Sequence, residues 1–110
     1  MVDITALSGL QILIVGLGRE GVALANFFTK YGLAVAATDL RSEASLGTIA
    51  TTLKEAGVSL HLGEHRVSLL NEADILFVSP GVPLEIPFLQ QAMLQRIPLS
   101  TESRLFCHLC

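Results

Sequence analysis

A continuous apolar run that ends in three spaced glycines constrains this chain more than any other feature. Gln11-Ile12-Leu13-Ile14-Val15 is rich in β-branched residues and leads directly into Gly16-Leu17-Gly18-Arg19-Glu20-Gly21. Consecutive apolar residues, with no polar alternation, suit a strand buried on both faces, as in a parallel sheet. Helix formers follow from Val22 to Tyr31, and Gly32 is placed to cap that helix in a left-handed conformation. Leu33–Thr38 is a second apolar run, closed by Asp39. A strand, a glycine turn, a helix and a second strand form the opening unit of a doubly wound α/β fold.

The rest of the chain repeats the alternation. Leu46, Ile49, Ala50 and Leu53 fall at i, i+3, i+4 and i+7, the stripe of one helix ended by Gly57. Val58–Leu62 predicts a short strand and Gly63-Glu64-His65 a loop. Ala73–Val78 predicts a buried strand closed by Ser79-Pro80-Gly81-Val82-Pro83. Pro87 suits the first turn of a helix carrying Phe88, Leu89, Ala92 and Met93. Ile97-Pro98-Leu99 is extended, and Thr101-Glu102 opens a terminal helix through Leu105, Phe106 and Leu109. The expected architecture is a Rossmann-like three-layer αβα domain with about five parallel strands. The glycine turn after strand one favours the order 3-2-1-4-5, with 2-1-3-4-5 as the other common order.

At 110 residues the chain has room for one domain. Its 51% hydrophobic content excludes a disordered tail. Seven Lys and Arg against ten Asp and Glu leave a net charge of −3, which disfavours nucleic acid as a partner. No stretch approaches the roughly 18 apolar residues of a membrane span, and no basic segment precedes an apolar one at the N-terminus. A cytoplasmic location is therefore expected. The two cysteines, Cys107 and Cys110, frame Cys-His-Leu-Cys, half of a zinc site without its other half, so no metal is expected.

The chemistry concentrates in two loops. In Gly16-Leu17-Gly18-Arg19-Glu20-Gly21, Gly16 permits the tight turn and Gly18 lets backbone approach a pyrophosphate. Gly21 lets helix and strand pack closely, while free amides at the helix start hold phosphate. Asp39 lies 21 residues after Gly18, where dinucleotide enzymes place an acid for ribose hydroxyls. Glu20 is expected to be a solvated first-turn residue, with Arg19 offsetting its charge. Ser79, Pro80 and Gly81 end the fourth strand and should face the glycine loop across the crevice where strand order reverses. His61 and His65 are expected to be turn or capping residues, and His108 falls in the tail. The lysines, Lys30 and Lys54, are in no glycine loop, and no GxxxxGK[ST] motif is present. These features alone leave open a nicotinamide-dependent oxidoreductase domain or a regulatory nucleotide-sensing module.

Taken together, the motifs resemble the N-terminal domain of the Mur ligases, the ATP-dependent amide-forming enzymes of peptidoglycan precursor synthesis. The resemblance is strongest to the D-glutamate-adding branch. It is carried by Ile14-Val-Gly-Leu-Gly18 with Gly21, by Thr38-Asp39, and by Gly63 with His65. Ala73-Asp74-Ile-Leu-Phe-Val-Ser-Pro-Gly-Val-Pro83 follows, then Ile97-Pro98-Leu99 with Glu102 and Leu105-Phe106. The match runs from about residue 7 to residue 106, and Ser-Pro-Gly-Val-Pro is its most specific block.

The resemblance implies a domain that holds the UDP end of UDP-N-acetylmuramoyl-L-alanine. It implies that Gly18, Arg19 and Glu20 take the diphosphate, within a loop shaped by Gly16 and Gly21. Asp39, Leu40 and Arg41 would take the uracil side, and Ser79 and Gly81, braced by Pro80, would approach the muramoyl sugar and diphosphate. Many relatives carry Ser or Thr where Glu20 stands and a hydroxyl where Leu40 stands. ATP and Mg would serve the parent enzyme, with no cofactor on this domain and no catalytic residue in it. The family's ATP-binding and glutamate-binding domains would be its partners, and the chain by itself is expected to lack ligase activity. The apolar segment Leu105–Cys110 is expected to promote self-association of the free domain.

Overall fold

Each strand forms where consecutive apolar side chains must be buried on two faces at once. The computed structural model describes residues 8–101, in which Gln11–Val15 (β1), Ala34–Asp39 (β2), Ser59–Leu62 (β3), Ile75–Val78 (β4) and Leu99–Ser100 (β5) form one sheet. All pairings are parallel and the order is β3-β2-β1-β4-β5. This is the 3-2-1-4-5 order anticipated from the glycine turn.

Alternate residues of β1 supply two separate cores. Ile12 and Ile14 pack with Val35 and Ala37 of β2 against Arg19–Lys30 (α1) and Thr48–Glu55 (α3). Leu24, Ala25 and Phe28 are the inward face of α1, and Ala50 and Leu53 that of α3. Leu13 and Val15 point the other way. They join Leu76 and Val78 of β4 beneath Pro87–Leu94 (α4), whose Phe88, Leu89 and Ala92 close that side. Phe28 and Phe77 lie in one tilted ring contact, centroids 5.1 Å apart, which links α1 to β4.

Two connections differ from the sequence expectation. The Leu46–Leu53 stripe is not one helix. Gly47, at φ +60°, separates Glu43–Leu46 (α2), capped by Ser42, from α3. The break turns Ile49 outward, 37% exposed, while Leu46, Ala50 and Leu53 remain buried. The return from β3 to β4 is a 3₁₀ helix, Val67–Asn71, that buries Leu70. A single 3₁₀ helix of five residues is too short to cover the whole sheet face. Ala34, Ala36, Ser59 and His61 therefore border an open cavity of about 570 Å³ at the amino ends of β2 and β3.

Helix α1 begins three residues before the expected Val22, because the Val22 amide already donates to the Gly18 carbonyl. Its first turn is thus part of the glycine motif itself. Gly32, at φ +75°, follows the helix as anticipated. Glu102, Leu105, Phe106, Cys107, His108, Leu109 and Cys110, and with them the expected terminal helix and its self-association, lie outside the described residues.

The core assignment has a direct test. Phe28→Ala should cost about 3–5 kcal/mol in urea unfolding, the range for deleting a buried aromatic. Phe27→Ala, on the half-buried flank of the same helix, should cost clearly less. Equal losses would mean that α1 packs through a different face.

Candidate functional site

Open parallel sheets bind ligands beyond the carboxyl ends of their strands, where strand order reverses. Here that point lies between β1 and β4. The Gly16 amide donates to the Thr38 carbonyl at 2.8 Å, and the Ser79 amide to the Val15 carbonyl at 2.9 Å. The loops after β1, β2 and β4 are therefore anchored side by side. Between them lies a cleft of about 270 Å³, lined by Gly16, Asp39, Leu40, Arg41 and His65 on one side. Gly81, Val82, Pro83 and Ile86 form the other.

Asp39 is buried and its carboxylate binds within the protein. Oδ2 accepts from the Leu17 amide at 2.7 Å and from Arg41 Nη2 at 3.0 Å. Oδ1 accepts from the Arg41 amide at 2.8 Å and from Arg41 Nε at 3.0 Å. Arg41 Nη2 also donates to the Leu17 carbonyl at 2.8 Å. Burial alone would raise the carboxyl pKa. The bonds from Arg41 and Leu17, with the charge of the guanidinium, overcome it and lower the value from 3.8 to about 2. The guanidinium remains half-exposed at the cleft and keeps a face open to a ligand.

The glycines divide by what surrounds them. A Cβ on Gly21 would stand 2.1 Å from the Gly16 carbonyl oxygen, and one on Gly16, at φ +94°, would stand 2.8 Å from Val82 Cγ2. These two are required by packing and backbone geometry. Gly18 and Gly81 have no heavy atom within 4 Å of the Cβ position and no positive φ. Nothing inside the protein demands glycine at either position, and both stand on loops that flank the crevice.

Gly18 is also the N-cap of α1 and supplies no side-chain acceptor. The first turn of a 12-residue helix therefore presents amides and the positive end of its dipole to the crevice. Arg19 and Glu20 are exposed in that turn, as expected for Glu20. Gly21 faces inward.

The Ser79 side chain, expected to approach the muramoyl sugar and diphosphate, is turned into the protein. It is buried and donates to the Gly16 carbonyl at 2.6 Å. Pro80 and Gly81 remain exposed beside it. His65, which the sequence suggested was a turn residue, also lines the site. Its Nδ1 lies 2.8 Å from Thr38 Oγ1, its ring is 5.4 Å from that of Phe88, and it lines the cleft. Its spacing from Gly63 was the only signal in the sequence. Among the described residues no group of three His, Cys, Asp or Glu could hold a metal ion. No described helix is long and apolar enough to cross a membrane.

Comparisons with known proteins bear on this geometry. A family model described as "Mur ligase MurD-like, N-terminal domain" matches residues 10–101. A UDP-N-acetylmuramoylalanine–D-glutamate ligase of Koribacter versatilis is 37% identical over 97 residues, 88% of this chain and 21% of the relative. The enzyme of the same name from Geobacter metallireducens is 44% identical over 86 residues, 78% of this chain and 19% of its own. The chain thus spans about a fifth of the length of the curated relatives it matches. Among solved structures, the murein peptide ligase of Psychrobacter arcticus superposes with a TM-score of 0.74 at 20% identity, covering 84% of this chain and 19% of that one. The UDP-N-acetylmuramate–alanine ligase of Thermotoga maritima gives 0.73 at 19% identity, over 88% of this chain and 22% of that one. At these identities the structural matches show the fold.

Two outcomes test the site's construction from within. Gly21→Ala should destabilise the domain by about 1–3 kcal/mol, as overpacking does, while Gly18→Ala should leave thermal stability nearly unchanged. The Asp39 clamp should show in pH dependence. With the folded pKa below the unfolded one, its contribution is complete above about pH 4 and is lost as pH falls through about 2. Asp39→Asn should cost roughly 2 kcal/mol near pH 7, and the gap to wild type should narrow below pH 4. A gap independent of pH would show that the carboxylate's charge is not what holds the loops.

Proposed function

The chain belongs to the MurD-like N-terminal domain family of the Mur ligases, and from that membership we propose that it is the UDP-binding domain of a D-glutamate-adding ligase. In this reading residues 1–110 form a single N-terminal substrate domain. The ATP-binding and C-terminal domains belong to the parent enzyme, which uses ATP and Mg and works in the cytoplasm. The substrate is UDP-N-acetylmuramoyl-L-alanine. The parent activates its carboxylate as an acyl phosphate, and the amine of D-glutamate displaces the phosphate to form the amide.

The observation that carries the proposal is the pair of glycines without an internal reason. Gly18, at the start of α1, and Gly81, lining the cleft, leave open the two approaches that a diphosphate and its sugar need. The diphosphate lies against the first-turn amides of α1 beside Gly18, Arg19 and Glu20, where the helix dipole favours negative charge. Arg41 adds a guanidinium already oriented by Asp39. The base enters the slot of Leu40, Val82 and Pro83. Leu40 is 65% exposed, an apolar side chain held at the mouth where a flat ring could cover it. Asp39 acts on the ligand through Arg41 and the Leu17 backbone. Gly16, Gly21, Ser79 and Pro80 keep the loop walls in place. The relatives named above are ligases, and the nicotinamide-dependent reading is not favoured.

Binding can be measured on the chain as it stands. UDP and UDP-N-acetylmuramoyl-L-alanine should both raise its thermal stability, by about 2.7 kcal/mol at 100 times the Kd. NADH at equal concentration should not. Gly18→Val should abolish the UDP effect in calorimetry while the melting temperature of the free domain holds. Unchanged affinity in that variant, or stabilisation by NADH alone, would overturn the assignment.

A further inference from the structure

His65 is the cleft-lining side chain that holds a free acceptor. Thr38 Oγ1 lies 2.8 Å from His65 Nδ1 and 3.3 Å from the Glu64 carbonyl oxygen. A carbonyl only accepts, and a threonine hydroxyl has a single hydrogen. Both contacts are made together in one arrangement: the hydroxyl donates to Glu64, and Nδ1–H donates to the hydroxyl oxygen. In the neutral ring this makes Nε2 an acceptor. Nε2 has no hydrogen bond to any described residue, and no buried side-chain nitrogen or oxygen among them lacks a partner. It is therefore open to solvent, on a ring that lines the cleft and rests on Phe88.

No other lining side chain can serve as that acceptor. The Asp39 oxygens are each taken by two internal donors. Arg41 only donates, and Leu40, Val82 and Ile86 are apolar. A flat ring entering this slot thus meets one free side-chain acceptor. Uracil carries an N3–H donor on its edge, whereas cytosine carries a lone pair at the same atom. We infer that His65 reads the base, accepting from N3–H through Nε2 and selecting uracil over cytosine. The inference rests on the nucleotide-binding assignment above and adds to it the residue that sets base specificity. Burial keeps the imidazole neutral by lowering its pKa, against the charge of Asp39, which raises it. The charged groups around the ring are Asp39 and Arg41 at the end of β2, and the exposed Glu64–Arg66 pair on its own loop.

The test compares UDP with CDP by calorimetry on the full chain. The two share ribose and diphosphate, so the ratio of their affinities isolates the base. Wild type should prefer UDP by about ten-fold near pH 7.5, the effect of one unmatched hydrogen bond. His65→Phe should reduce that ratio to near unity by weakening UDP alone. In wild type the ratio should also fall as the pH drops below the usual imidazole range, because Nε2 then carries a hydrogen and no longer accepts from uracil N3–H. This second measurement needs no variant and is independent of any folding defect in His65→Phe. A UDP preference that persists unchanged at low pH, or in a folded His65→Phe, would overturn the role of His65 while leaving nucleotide binding intact. A wild-type chain that binds neither nucleotide would overturn the nucleotide assignment, and this inference with it.

Discussion

The carboxylate of Asp39 is the interaction on which the site depends. It joins three things that the chain alone would not hold together: the backbone of the glycine loop at Leu17, the end of β2, and the guanidinium of Arg41. Burying a carboxylate is costly unless its charge is matched and its lone pairs are filled. Here two oxygens receive four donors, and the low pKa records that the charged form prevails. Without this knot Arg41 would be a long exposed side chain with many rotamers. With it, the arginine is a fixed positive surface at the cleft.

The four glycines of the two loops show how one residue type serves two ends. Gly16 and Gly21 are consumed by the fold, since the carbonyl of the first sits where a side chain on the second would go. Gly18 and Gly81 are not consumed by anything in the domain. The same motif therefore contains both the condition for close helix–strand packing and the space that packing makes available. A spaced-glycine pattern without the second class would be a structural turn and nothing more.

Much of the architecture was legible because burial on two faces leaves a plain mark. Ile12–Val15 and Leu76–Val78 are apolar at every position, and strands of that kind belong inside a parallel sheet. The glycine turn then indicated the strand order. The features that escaped depend on contacts distant in sequence or on segments too short for a period. Val67–Asn71 is a single 3₁₀ turn, and the Leu46–Leu53 spacing was helical even though Gly47 interrupts it. The glycine loop, Asp39, Arg41 and the Ser79 loop were recognised and do converge. The internal commitment of the two side chains could not be read, because the Leu17 amide that Asp39 holds and the Gly16 carbonyl that Ser79 holds are 22 and 63 residues away. His65 was discounted for the same reason: its meaning lies in Thr38, 27 residues before it.

The bond from the Ser79 hydroxyl to the Gly16 carbonyl bears on how such a site can move. It is buried and short, and it fastens the loop after β4 to the loop after β1 across the point where strand order reverses. Val82 packs against Gly16 from the same side. The loops after β1 and β4 are thereby tied to each other, and moving one over a ligand without the other would break a buried hydrogen bond. A ligand held here meets a fixed mould. The tie makes the floor of the crevice a shared surface of both loops rather than two that must first be brought together.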